Sequence, residues 1–92
     1  MALGGRPYTD RRLSENSFIR TFPAGAHIAD LEWHRDHNTR TIRVIEGQGW
    51  RFQYDNTLPE AITEGAVFTV KKEQYHRLLP GRTDLVLEIQ EH

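Results

Sequence analysis

The chain has no cysteine, which removes disulfides, thiolate nucleophiles and sulfur-ligated zinc together. Any metal would have to be held by imidazole nitrogens and carboxylate oxygens, for which five His and thirteen Asp plus Glu are the inventory. An excess of one charge is missing too. Twelve Lys and Arg stand against thirteen Asp and Glu, a formal net charge of −1, and no basic run gathers the cations into the stripe that a nucleic-acid groove requires. Nucleic acid is not an expected partner. No apolar run approaches the roughly 20 residues that cross a bilayer, and Met1 to Pro7 lacks the apolar core of a signal peptide. A cytoplasmic protein without a membrane partner is the expectation. Also absent is any stretch that keeps a helical period over three turns.

What remains is a chain of 92 residues, 37% hydrophobic and 27% charged, a balance that folds rather than stays disordered. Its length makes one domain, and a domain of that size hides only about 60% of its unfolded surface. Residues 1–16 are polar and turn-rich, with Tyr8 and Leu13 as isolated apolar anchors, and read as an N-terminal arm with room for one edge strand. The domain proper is expected over 17–92.

Within it the apolar period is two. Phe18, Arg20 and Phe22 share one side of a run that Pro23-Ala24-Gly25 breaks. Ala26 to Asp36 keeps the same period, with Leu31 and Trp33 facing one way and Glu32, His34 and Asp36 the other. After an Asn38-Thr39 turn, Arg40, Ile42 and Val44 share a face, and Gly47-Gln48-Gly49 reads as a hairpin-type turn. Trp50, Phe52 and Tyr54 alternate with Arg51 and Gln53 up to the turn residues Asp55-Asn56. Short strands follow over 61–63, 66–70, 75–79 and 85–90. Seven to nine short strands at even spacing predict an all-β sandwich or barrel.

Two ligand-type side chains, His34 and Asp36, stand two apart on an extended run, and a single distant His76 answers them. Residues i and i+2 of a strand point to one side and i+3 to the other, so His34 and Asp36 can share an ion whereas His34 and His37 cannot without a bulge. Arg40 cannot ligate a metal, having no lone pair to give, but it can pair with Asp36 or clamp a substrate carboxylate. Both roles stay open.

These residues resemble the signatures of the small single-domain cupins, whose fold is a double-stranded β-helix, an antiparallel jelly-roll barrel with little or no helix. The first signature sets a His-x-His ahead of a Glu and a closing Gly. With Gly47 as the closing Gly, the His positions fall on His34 and Asp36 and the Glu position on Arg40. The second signature fits Gly65, Lys71, Glu73 and His76 in spacing, with Gly65 and His76 matching in identity. The resemblance covers roughly residues 17 to 90. It implies a metal site in which Asp36 replaces the second His, turning three His and one Glu into two His and one carboxylate, a set suited to non-haem Fe(II) oxygenases. The same His-x-Asp and distal His order occurs in 2-oxoglutarate-dependent dioxygenases.

The resemblance therefore implies a divalent transition metal on His34, Asp36 and His76: Fe(II) first, otherwise Mn, Ni or Zn, or none if the lumen is only a hydrogen-bonded polar interior. Arg40 and His76 are the catalytic candidates, and Arg40, Gln53 and Tyr75 the substrate-binding ones, for a small anionic substrate. Two further functions stay open, a metal-free module binding a sugar- or carboxylate-like ligand and a sugar-type isomerase or epimerase. Aromatics in excess of what so small an interior holds predict a homodimer, across which the arm could reach.

Overall fold

A computed structural model describes residues 8–26 and 31–92. Part of the run expected from Ala26 to Asp36, residues 27–30, lies outside the described residues. Eight strands follow in order: β1 (Thr9–Arg12), β2 (Ser17–Phe22), β3 (Arg40–Glu46), β4 (Arg51–Tyr54), β5 (Glu60–Ala61), β6 (Val67–Val70), β7 (His76–Leu79) and β8 (Leu85–Glu91). They form a five-stranded sheet, β1-β2-β8-β3-β6, facing a three-stranded sheet, β5-β4-β7. Every strand pair is antiparallel. There is no helix among the described residues, and none that is long and apolar enough to cross a membrane.

Alternation decides which side chains meet between the sheets. Phe18 and Phe22 from β2, Ile42 and Val44 from β3, and Leu85, Leu87 and Ile89 from β8 project from the larger sheet. Phe52 and Leu78 answer from the smaller one, and Trp50, just ahead of β4, is fully buried. Ile45 falls at a bulge, where β3 shifts register against β8 between Val44 and Glu46, and is left exposed.

Three details differ from the sequence reading. The run to Asp36 is not a strand: from Leu31 to Thr39 only His34 makes a β-bridge. Gly47-Gln48-Gly49 is not a hairpin turn either, because β3 and β4 lie in different sheets and the glycines carry the chain from one to the other. The short strand placed over 61–63 is Glu60–Ala61. Thr9–Arg12 pairs along its whole length with β2 as the outer strand of the larger sheet.

The glycine crossover is pressed against the turn between β7 and β8. The Arg82 amide donates to the Gln48 carbonyl at 2.8 Å. A Cβ on Gly81 would stand 2.3 Å from the Gln48 oxygen and 2.5 Å from the Trp50 amide nitrogen. Both are backbone atoms that cannot swing away, so Gly81→Ala is expected to cost about 1–3 kcal/mol, seen as a lower urea midpoint at unchanged m-value.

Candidate metal centre

His34 lies outside any strand, yet its backbone is fixed by an antiparallel bridge to His76. Its amide donates to the His76 carbonyl at 3.0 Å, and its carbonyl accepts from the His76 amide at 2.9 Å. The bridge sets the two imidazoles edge to face, with centroids 4.3 Å apart. Two residues on, the Asp36 carbonyl accepts from the Glu73 amide at 2.7 Å, which holds the extended segment against the loop before β7. Asp36 therefore returns to the side that His34 occupies. One ligand-type atom from each of His34, Asp36 and His76 lies within 4.8 Å of the other two.

Both rings are held in a ligand-competent tautomer. Nδ1 of His34 lies 3.1 Å from the Glu32 carbonyl, and Nδ1 of His76 lies 2.8 Å from the Gln74 carbonyl. A carbonyl can only accept, so each Nδ1 carries the hydrogen, and in the neutral ring Nε2 keeps the lone pair. His76 Nε2 then faces Asp36 Oδ2 at 3.3 Å. That oxygen is buried and has no hydrogen-bond partner. Two lone-pair atoms turned toward each other in a buried place need a cation between them, a proton or a metal. The donor set fits a divalent ion: two imidazoles and one carboxylate, with sides left open.

Charge around the group keeps it ready. Burial pushes the Asp36 carboxyl up, but in the metal-free group a proton on His76 Nε2, bonded to the carboxylate, and the positive charge of Arg40 outweigh it, so the group sits below the usual carboxylate range. His34 is lowered from 6.5, first by the protein packed around its ring and further by His76, despite the hydrogen bond to Glu32 and the charge of Asp36. Much of the residue's surface still reaches solvent.

Arg40 stands between two carboxylates. Its Nη1 is 3.3 Å from Asp36 Oδ1, and its Nε and Nη2 donate to Glu91 Oε2 at 3.0 and 2.8 Å. Gln53 and Tyr75, the other substrate-binding candidates, lie away from this group. Gln53 accepts from Arg77 Nε at 2.9 Å and donates to the Thr57 carbonyl at 2.7 Å. Tyr75 is exposed, with the Arg35 guanidinium 5.3 Å from its ring centre. Neither is among the described residues that line the lumen. Phe52 and His76 take the inward positions, so parity turns their neighbours outward. His37 is exposed and reaches Glu73.

The lumen beside the group has a volume of about 460 Å³. Phe52 lies against the His76 ring, 5.6 Å between centroids and 24° between planes. Tyr8 and Arg20 also line the lumen, and neither was among the candidate site residues. Arg20 shares the inward side of β2 with Phe18 and Phe22, so alternation carried the signal.

No family model matches the sequence, and no curated protein does. Solved structures do match in fold. An RmlC-like cupin of Methanocaldococcus jannaschii, described as a double-stranded β-helix, is 13% identical with a TM-score of 0.66 over 99% of this chain and 85% of that one. HppE in complex with Co(II) and substrate is 14% identical with a TM-score of 0.72, over 92% and 52%, and HppE is also known with Fe(II) and an alternative substrate. The DMSP lyase DddQ of Ruegeria pomeroyi is 12% identical with a TM-score of 0.74, over 94% and 47%. The chain spans about half the length of HppE and of DddQ. The two facing antiparallel sheets, with a His34, Asp36 and His76 group positioned to hold a metal ion, give this chain the fold of the RmlC-like cupins.

Proposed function

We propose that the protein is a small metal-dependent enzyme in which His34, Asp36 and His76 hold one divalent transition ion, Fe(II) first and Mn, Ni or Zn otherwise, beside a small molecule bound in the lumen. The observation that carries this reading is the buried, unpartnered Asp36 Oδ2 facing His76 Nε2. HppE, which shares the fold and is known with Co(II) and Fe(II), supports it. When bound, the ion supplies a Lewis acid or a centre for dioxygen activation.

The chain's own residues supply the rest. Arg40 keeps Asp36 ionised and aimed. The Glu32 and Gln74 carbonyls fix the two ring tautomers, and the apolar lumen wall keeps water from the bound molecule. An acid or base role for His76 competes with ligation, because Nδ1 is already committed to Gln74 and Nε2 is the one nitrogen left. The reading includes a homodimer, supported by the exposed Ile45, Leu58 and Val67, and a cytoplasmic setting, where a chain without cysteine forgoes nothing. The metal-free binding module is the second reading, favoured by the ion pair that Asp36 already makes with Arg40. A sugar-type isomerase or epimerase differs from an oxygenase in consuming no dioxygen, which an oxygen electrode separates.

Loading should follow ligand protonation. Because the folded-state pKa of His34 lies below its ordinary 6.5, this ring stays neutral to lower pH than a free imidazole. Co(II) loading by equilibrium dialysis is expected to hold at about pH 7 and to collapse by about pH 5, as protons compete for both rings. For the metal-free protein the sign is the same. The unfolded chain takes up the His34 proton first, so stability falls as pH drops through 6.5 toward the folded value. Loading unchanged at about pH 5 contradicts two imidazole ligands.

A further inference from the structure

We propose that the lumen takes a neutral, predominantly apolar small molecule, and not an anion; this rests on the reading of the lumen as the substrate site. A space of about 460 Å³ is the size of a small-ligand site. Its wall is built by Phe22, Leu31, Ile42, Phe52, Leu87 and Ile89 among others.

The two cations that line it are already spent on the protein's own carboxylates. Arg20 donates from Nε and Nη2 to the two oxygens of Asp10, at 2.8 and 2.9 Å, and its guanidinium carbon stands 3.7 Å from the Tyr8 ring centre. Arg40 donates two hydrogen bonds to Glu91 and makes an ion pair with Asp36. Two guanidinium groups thus meet three carboxylates. An anionic guest would have to draw Arg40 off Glu91 and leave that part-buried carboxylate unpaired, a cost that a neutral guest does not meet. Glu32, also lining the lumen, adds a further negative charge and repels an anion. A bound ion attracts one donor atom of either kind, so the preference set by the walls and the arginines is read most cleanly without metal.

The test uses benzyl alcohol and benzoate, a neutral and an anionic ligand of nearly the same shape, titrated into the metal-free full chain. Trp33 lines the lumen and is partly exposed, whereas Trp50 is fully buried. Trp33 fluorescence therefore reports binding, with Trp33→Phe as the blank and calorimetry as the second readout. Benzyl alcohol is expected to bind at least about tenfold more tightly than benzoate, the scale of penalty for leaving a polar partner unpaired. Glu91→Gln, which releases Arg40 from its main partner, should narrow that gap by raising benzoate affinity while leaving benzyl alcohol unchanged. Benzoate binding the wild-type chain as tightly as benzyl alcohol overturns the proposal, and so does the binding of neither ligand. A Co(II) titration run in parallel separates the two levels. If Co(II) fails to bind and the preference for benzyl alcohol stands, the metal reading falls and this inference survives.

Discussion

Replacing Asp36 or His76 by Ala is expected to weaken Co(II) binding by more than about 100-fold, while His37→Ala leaves it unchanged. Loss of an outer-shell partner alone costs about 10–100-fold in comparable sites, and these two residues would lose a ligand atom itself. Asp36 supplies the one anionic ligand of the trio. His76 is the buried member, stacked on Phe52 and fixed through Nδ1. Both variants should keep the fold. Arg40 retains Glu91 when Asp36 is removed, and the bridge to His34 is made by backbone atoms that His76→Ala preserves. Isothermal titration alongside thermal melts of the metal-free proteins reads both quantities. Equal loss on His37→Ala, or none on Asp36→Ala, would show that the ion sits elsewhere.

Trp50→Ala is expected to cost about 3–5 kcal/mol, a large part of the roughly 5–15 kcal/mol that holds a domain together. Trp50 is 0% exposed and packs on Phe22 with ring centres 5.9 Å apart. Its indole N–H donates to the Thr83 carbonyl at 2.7 Å. The substitution therefore opens a cavity at the start of β4 and leaves a part-buried carbonyl without its donor. Urea unfolding followed by circular dichroism gives the value. A loss under about 1 kcal/mol, ordinary for a surface site, would mean that the indole is not packed as described.

How much of this was legible in the chain depends on the kind of signal. Strands β2, β3 and β8 read correctly because each buries one face and wets the other, so Phe18, Ile42 and Leu87 mark the inside by parity alone. Parity also set His34 and Asp36 on one side, although the segment is no strand. An extended chain alternates its side chains whether or not a neighbour pairs with it, and here one bridge to His76 suffices. The same property made the segment look like a strand.

Gln53 and Tyr75 were substrate-binding candidates, whereas parity with the inward Phe52 and His76 turns both away from the lumen. The glycines at 47 and 49 announced a turn, but a local signal does not say which sheet the next strand joins. Arg40 remained ambiguous for a further reason. Its partner Glu91 lies 51 residues away on β8, and no local pattern links the two. Arg20 meets Asp10 only because β1 pairs with β2, a contact that an arm reading of residues 1–16 conceals.

The central claim is that His34, Asp36 and His76 hold a metal. Elemental analysis of the full chain, purified without chelator at about pH 7.5, above the His range, tests it most directly. Close to one equivalent of a divalent transition metal per chain, lost in His76→Ala, is the result expected. Metal-free protein that takes up no Fe(II), Co(II), Mn(II), Ni(II) or Zn(II) on reconstitution, and whose melting temperature does not respond to those ions, would contradict it and leave the Asp36–Arg40 ion pair as the working state of the lumen.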